Sequence, residues 1–122
     1  LSLPSTLQAQ RLQQKASYAG FDWKHSEDVW EKINEELEEL KNAEKGGNKE
    51  QIENELGDLL FSIINLARFL DISADSALRS TNNKFKNRFR FIEKTLEKSS
   101  KDIEKCSLEE LDSIWKEAKI KE

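Results

Sequence analysis

Apolar residues recur along almost the whole chain at the three- and four-residue spacing of helices, and no β-rich run competes. A first helix is predicted from Pro4, a favoured first-turn residue, through Leu7, Arg11, Leu12 and Ala16, ending near Ala19-Gly20. The aromatic loop Phe21-Asp22-Trp23-Lys24-His25 leads to Ser26 as N-cap of a second helix. That helix carries Val29, Trp30, Ile33, Leu37 and Leu40 on one face. Gly46-Gly47 reads as a turn. Asn48 with Gln51 then forms a capping-box pattern that opens a third helix along Ile52, Leu56, Leu59, Ile63, Leu66 and Leu70. Ser73, after the connection Asp71-Ile72, caps a fourth, basic helix through Ala77, Leu78, Thr81, Phe85, Phe89, Ile92 and Leu96. Lys98 to Lys105 is a polar linker, and Ser107 with Glu110 opens a short last helix containing Leu111, Ile114 and Trp115. The expected fold is all-α: an antiparallel bundle of four to five helices.

The third helix departs from simple amphipathicity. Phe61, Ile64 and Phe69 point away from its main stripe, so it is apolar over most of its circumference and asks for burial on several sides. In a chain of 122 residues the cheapest such burial is a subunit interface, which predicts a homodimer or higher oligomer.

Four carboxylates add chemistry to this frame. Glu36 and Glu39 on the second helix, and Glu55 and Asp58 on the third, are each spaced i, i+3 and share a helix face. Folding the two helices back about Gly46-Gly47 brings Glu39 level with Glu55 and Glu36 level with Asp58. Gathered anions raise one another's pKa values unless a cation neutralises them. An all-oxygen donor set suits a hard ion: magnesium first, then manganese or calcium. Zinc and di-iron fit poorly, because the chain has one His, His25, and one Cys, Cys106. The competing reading of Glu35, Glu36, Glu38 and Glu39 is a solvated helix face. Against it, Glu36 lies about 60° from Ile33 and Glu55 likewise borders its apolar stripe.

Lys84 and Arg88 are i, i+4 neighbours on the fourth helix, with Asn82 and Arg90 close by. Such pairs are mostly solvated or salt-bridged, but beside a carboxylate-held metal they are what a polyphosphate needs. Trp23 offers a flat surface for a nucleobase, and Trp115 suits either that role or core packing. A net charge of −4 gives no global reason to bind nucleic acid or an anionic membrane. A single Cys excludes an intrachain disulfide, no apolar run approaches spanning length, and the start Leu1-Ser2-Leu3-Pro4 has no leader pattern. A cytoplasmic protein is expected.

The run Glu35-Glu36-Leu37-Glu38-Glu39 and then Glu55-Leu56-Gly57-Asp58-Leu59-Leu60-Phe61 resembles the E-E-x-x-E and E-x-x-D signature of the all-α nucleoside triphosphate pyrophosphohydrolases, and MazG in particular. Gly20-Phe21-Asp22-Trp23, Asn65-Leu66-Ala67-Arg68, and Asn82-Asn83-Lys84-Phe85 through Arg88-Phe89-Arg90 extend the resemblance over most of the chain. It implies magnesium-dependent hydrolysis of a (deoxy)nucleoside triphosphate to monophosphate and pyrophosphate, by metal-activated water attacking the α phosphorus. Manganese is a possible substitute. It implies Glu36, Glu39, Glu55 and Asp58 as metal ligands in a site between the two central helices, and Lys84, Arg88 and Asn82 at the triphosphate. Trp23 and Trp115 would border the base. Residues 1–122 then form one MazG-like domain, and the missing initiator Met together with the likeness to the carboxyl-terminal of two similar MazG domains makes it a piece of a longer chain. Two other readings compete: a non-catalytic helical oligomerisation module, and a specialised dUTP or phosphoribosyl-ATP pyrophosphohydrolase.

Overall fold

The computed structural model describes residues 3–122; Leu1 and Ser2, which begin the stretch read as lacking a leader, lie outside the described residues. Within them the chain is helical throughout, in the order α1 (Ser5–Tyr18), α2 (Ser26–Gly46), α3 (Lys49–Phe69), α4 (Ala74–Lys98) and α5 (Leu108–Ile120), with a single 3-10 turn at Ile103–Lys105 and no strand among the described residues. The all-α expectation is met. The chain divides into two compact units: one ends at Ala77, the other is Leu78–Glu122.

The first unit is built on the α2–α3 hairpin, with α1 packed on α3. The hairpin forms where the sequence puts its breakers. Gly47 ends α2 in the left-handed region (φ 73°), and its N–H donates to the carbonyls of Ala43 and Glu44. A side chain at that φ costs about 1 kcal/mol or more, so glycine is the natural residue there. One residue later the Asn48 side chain accepts from the Gln51 N–H at 3.2 Å and starts α3. Gly20 (φ 91°) closes α1 in the same way, with the Phe21 N–H donating to Ala16 O at 2.9 Å. Ser26 is not the N-cap: His25 holds that position in extended conformation, no side chain caps the helix, and Glu27 and Asp28 face its N-terminal dipole instead.

Polar side chains staple α1 to its neighbours. Gln13 is buried and donates from Nε2 to Phe61 O at 2.9 Å on α3. Gln10 donates to Ile72 O at 3.1 Å and accepts from the Ala74 N–H at 3.0 Å, tying the α3–α4 connection to α1. Val29 is the most completely buried apolar side chain, at 1% exposure. Much of the remaining apolar surface is left open. On α2, Trp30 and Leu37 are exposed; along α3 and its C-cap, Leu56, Ile63 and Leu70, spaced seven apart, are exposed together with Leu60 and Phe61.

In the second unit Ile92 and Leu96 of α4 and Ala118 of α5 are buried. Phe85 lies 5.3 Å from the Trp115 ring, centroid to centroid, and stacks on Phe89 at 6.2 Å. The stretch read as a polar linker is more ordered than that. Its Ile103–Lys105 turn is capped by Asp102, which accepts from the Glu104 N–H, and Ser107 caps α5 by accepting from the Glu110 N–H at 3.1 Å.

Candidate metal centre and adjoining cavity

Glu36 should cost the fold stability, because an ionised carboxylate in the interior loses its hydration. Yet it is only 5% exposed. Its Oε1 is met by Lys32 Nζ at 2.9 Å, one turn earlier on α2, while its Oε2 is buried with no hydrogen-bond partner. The hairpin register then adds anions instead of donors. One carboxylate oxygen from each of Glu36, Glu39 and Glu55 lies within 4.8 Å of the other two, and Glu55 Oε2 is also buried without a partner. The Glu39 carboxyl is pushed above the ordinary carboxylate range, first by the charge of Glu36 and then by hydrogen bonding with Glu55. Lys32 is held in its charged form chiefly by Glu36, and it also lies 3.7 Å from Glu35.

These three side chains fit a hard divalent cation. Oxygens sharing the shell of a magnesium or calcium ion lie within about 4–5 Å of one another, given metal–oxygen distances of about 2.0–2.6 Å. Two buried, partnerless carboxylate oxygens are what such an ion would satisfy. Asp58 sits one turn beyond Glu55, exposed, and is not in the group of three.

Beside the cluster, in the same unit, is a largely apolar cavity of about 390 Å³, a size suited to a small ligand. Its wall includes Leu12, Phe21, Trp23, Val29 and Phe61, with Gln13, Asn65 and Lys32 among its polar members. Lys32 therefore touches both the cavity and Glu36. Trp23, expected at a base, is in this wall and 43% exposed. The loop that carries it is held by Asp22. Oδ1 of Asp22 accepts from Arg68 Nη2 at 2.6 Å and from the Trp23 N–H at 2.7 Å; Oδ2 accepts from Arg68 Nη1 at 3.1 Å and from Ser17 Oγ at 3.0 Å. The Arg68 guanidinium holds the Asp22 carboxyl below its ordinary value of 3.8.

The remaining predicted residues belong to the second unit. Asn82 and Lys84 are exposed on α4. Arg88 is engaged: its Nε and Nη2 donate to the Glu122 carboxylate at 2.6 and 2.9 Å, and its guanidinium lies 5.2 Å from the Trp115 ring centroid. Trp115 is half-buried against Phe85, which gives the core-packing role read for it a physical basis. Sequence reasoning missed Lys32, because a Lys four residues before a Glu is an ordinary surface pair on a helix. It also gave no role to Asp22 and Arg68, although both lie in segments that carry the resemblance.

Two measurements follow from this geometry. Magnesium at about a hundred times its Kd should stabilise the chain by ~2.7 kcal/mol, a shift of several degrees in melting temperature. Glu55→Gln should abolish that shift and raise the metal-free melting temperature by removing one of three mutually repelling carboxylates; an unchanged melting temperature of the parent across magnesium concentrations would count against a metal site. Asp22 behaves differently. Its folded pKa is below its unfolded one, so the ion pair contributes fully above about pH 5 and is lost as pH falls from about 4 through the lowered value. Asp22→Asn should flatten the acid limb of a denaturation-versus-pH curve, and parallel limbs for parent and variant would refute the linkage.

Comparison with known proteins agrees with the geometry. Residues 24–91 match the MazG nucleotide pyrophosphohydrolase domain. The chain is 47% identical over 117 residues to the nucleoside triphosphate pyrophosphohydrolase/pyrophosphatase MazG of Thermotoga maritima, covering 96% of this chain and 45% of that protein. It is 35% identical over 123 residues to the nucleoside triphosphate pyrophosphohydrolase of Escherichia coli K12, covering 99% of this chain and 47% of that protein. The chain thus spans less than half the length of these curated relatives. A carboxylate cluster with Glu36 buried in it, on an all-helical frame and with a match that takes in both acidic helices, places this chain in the MazG nucleotide pyrophosphohydrolase family.

Proposed function

We propose that this domain hydrolyses nucleoside triphosphates to the monophosphate and pyrophosphate, with magnesium as cofactor and manganese as its substitute. One observation carries the reading: Glu36 is buried with a partnerless oxygen in a cluster with Glu39 and Glu55, beside an apolar cavity that holds Trp23. A cation would satisfy both buried oxygens, Glu36 Oε2 and Glu55 Oε2, to which no side chain donates.

Glu36, Glu39, Glu55 and Asp58 would hold the metal. When bound, magnesium supplies charge neutralisation at the phosphoryl oxygens and a water made acidic enough to attack phosphorus at neutral pH. Everything else is the work of the chain. The α2–α3 hairpin fixes the carboxylates in advance, so no reorganisation is needed as charge develops. Where Glu39 is left free of the metal, its exposed carboxylate would accept a proton from the attacking water. Lys32 keeps one ammonium at the junction of cluster and cavity, where the α phosphate of a base-bound nucleotide would lie.

Lys84 and Arg88, with Asn82, would bind the triphosphate. Arg88 can do so by exchanging partners, because Glu122 and a phosphate both offer two oxygens to the same guanidinium fork. Trp23 would border the base from the cavity wall, and Trp115 would back Arg88 through its ring. The exposed rows Trp30–Leu37 and Leu56–Ile63–Leu70 support assembly into a homodimer or larger oligomer, since solvent contact at so many large apolar side chains is unfavourable. No described helix is long and apolar enough to cross a membrane.

Release of pyrophosphate and monophosphate from a panel of ribo- and deoxyribonucleoside triphosphates tests the activity. The parent should turn over at least one of them with magnesium and none with chelator, and Glu55→Gln should fall by about 100-fold or more. A variant as active as the parent would remove Glu55 from the site. Sedimentation velocity tests assembly: a single species at dimer mass or above is expected, and a monomer at tens of micromolar would contradict it.

A further inference from the structure

The least regular segment of the first unit is the loop between Tyr18 and Ser26, yet it places two aromatic residues, Phe21 and Trp23, in the cavity wall. Burial does not hold them there. Phe21 is 84% exposed and Trp23 43%, so neither ring has the packing that usually fixes an aromatic side chain. What fixes the loop is polar. Both oxygens of Asp22 are used twice: toward the Arg68 fork, toward Ser17 on α1, and toward the loop's own Trp23 N–H. Arg68 is itself anchored, with a side chain only 6% exposed and its Nε donating to Asn65 Oδ1 at 3.0 Å. A bidentate guanidinium–carboxylate pair restricts orientation as well as distance. The bond from the Trp23 N–H carries that restriction to the backbone of the next residue.

We propose that the Asp22–Arg68 pair is a positioning latch for nucleobase binding: it ties the Trp23 loop to α3 so that the cavity keeps the shape a base requires. The inference rests on the pyrophosphohydrolase reading, and it concerns the base-binding half of the site only. Asp22 and Arg68 are positioning residues. Neither is in the carboxylate cluster; both line the cavity, with their polar atoms engaged to each other, to Ser17, to Asn65 and to the Trp23 N–H, so they act by holding the wall in shape. Weakening the latch should therefore loosen recognition of a base while leaving the binding of a bare polyphosphate chain unchanged. A merely structural ion pair would affect the two alike.

Calorimetric titration with magnesium present, using the non-hydrolysable α,β-methylene analogues of dATP and dTTP and, separately, inorganic tripolyphosphate, makes that comparison. The proteins are the parent, Asp22→Asn, Arg68→Met and the double variant. Each single variant should weaken at least one nucleotide analogue by about tenfold, as expected when a positioning contact is lost. The double variant should be no weaker than the worse single one, because the two residues act as a unit, and tripolyphosphate affinity should stay within about twofold of the parent. Should Arg68→Met fail to fold, Arg68→Lys keeps the charge and most of the stem but loses the fork, and an intermediate loss of nucleotide affinity is expected. Unchanged nucleotide affinity in the variants, or equal weakening of nucleotide and tripolyphosphate, overturns the latch and leaves the pyrophosphohydrolase reading standing. A parent that binds neither class of ligand overturns that reading, and the latch with it.

Discussion

Most of what distinguishes this chain follows from burying the Glu36 carboxylate against Glu39 and Glu55 with one lysine for company. In the absence of a cation this arrangement is unfavourable twice over, by desolvation and by like-charge repulsion. It persists because the α2–α3 hairpin is over-determined elsewhere. Gly47 in the left-handed region and the Asn48 cap set where the chain reverses, and Gln10 and Gln13 bind α1 and the next connection to the pair. The fold is spent on holding three anions where a solvated helix would have spread them apart. Local stability has been exchanged for a preformed group of three carboxylates that could hold a cation.

The cavity follows the same logic with different materials. Its wall is mainly apolar, and its polar members have their orientation fixed by specific bonds: Gln13 to the α3 backbone, Lys32 to Glu36, and Asp22 to Arg68. Lys32 is the physical link between the two parts. It neutralises part of the cluster and also faces the cavity, so the electrostatics of one are felt in the other. In the second unit Arg88 is held by the Glu122 carboxylate and the Trp115 ring, which keeps its guanidinium organised.

Much of the helical frame was readable in the residues. The Asn48–Gln51 and Ser107–Glu110 patterns are capping bonds as expected, and Ser73 accepts from the Ser76 N–H at 3.2 Å. These features are local, and local hydrogen-bonding chemistry survives into the fold almost unchanged. Ser26 went the other way: a favourable cap residue was displaced by one position, because the first turn is held by charge and backbone instead. The ordered turn at Ile103–Lys105 was invisible for a related reason, since a three-residue segment has no periodicity to detect.

For the candidate site the division is similar. The sequence by itself determined that two acidic helices flank a glycine turn, that Glu36 and Glu55 intrude on apolar stripes, and that the third helix carries more apolar surface than one face can hide. Those are consequences of residue type and helical period, both of which are properties of the chain alone. Only the tertiary structure decided that Glu36 is the buried member, that Glu39 and Glu55 join it while Asp58 stays exposed, and that Lys32 and the Asp22–Arg68 pair belong to the same neighbourhood. Burial and cross-helix distance depend on how helices rotate about their axes as they pack, and a sequence specifies that rotation only through the summed fit of all its side chains.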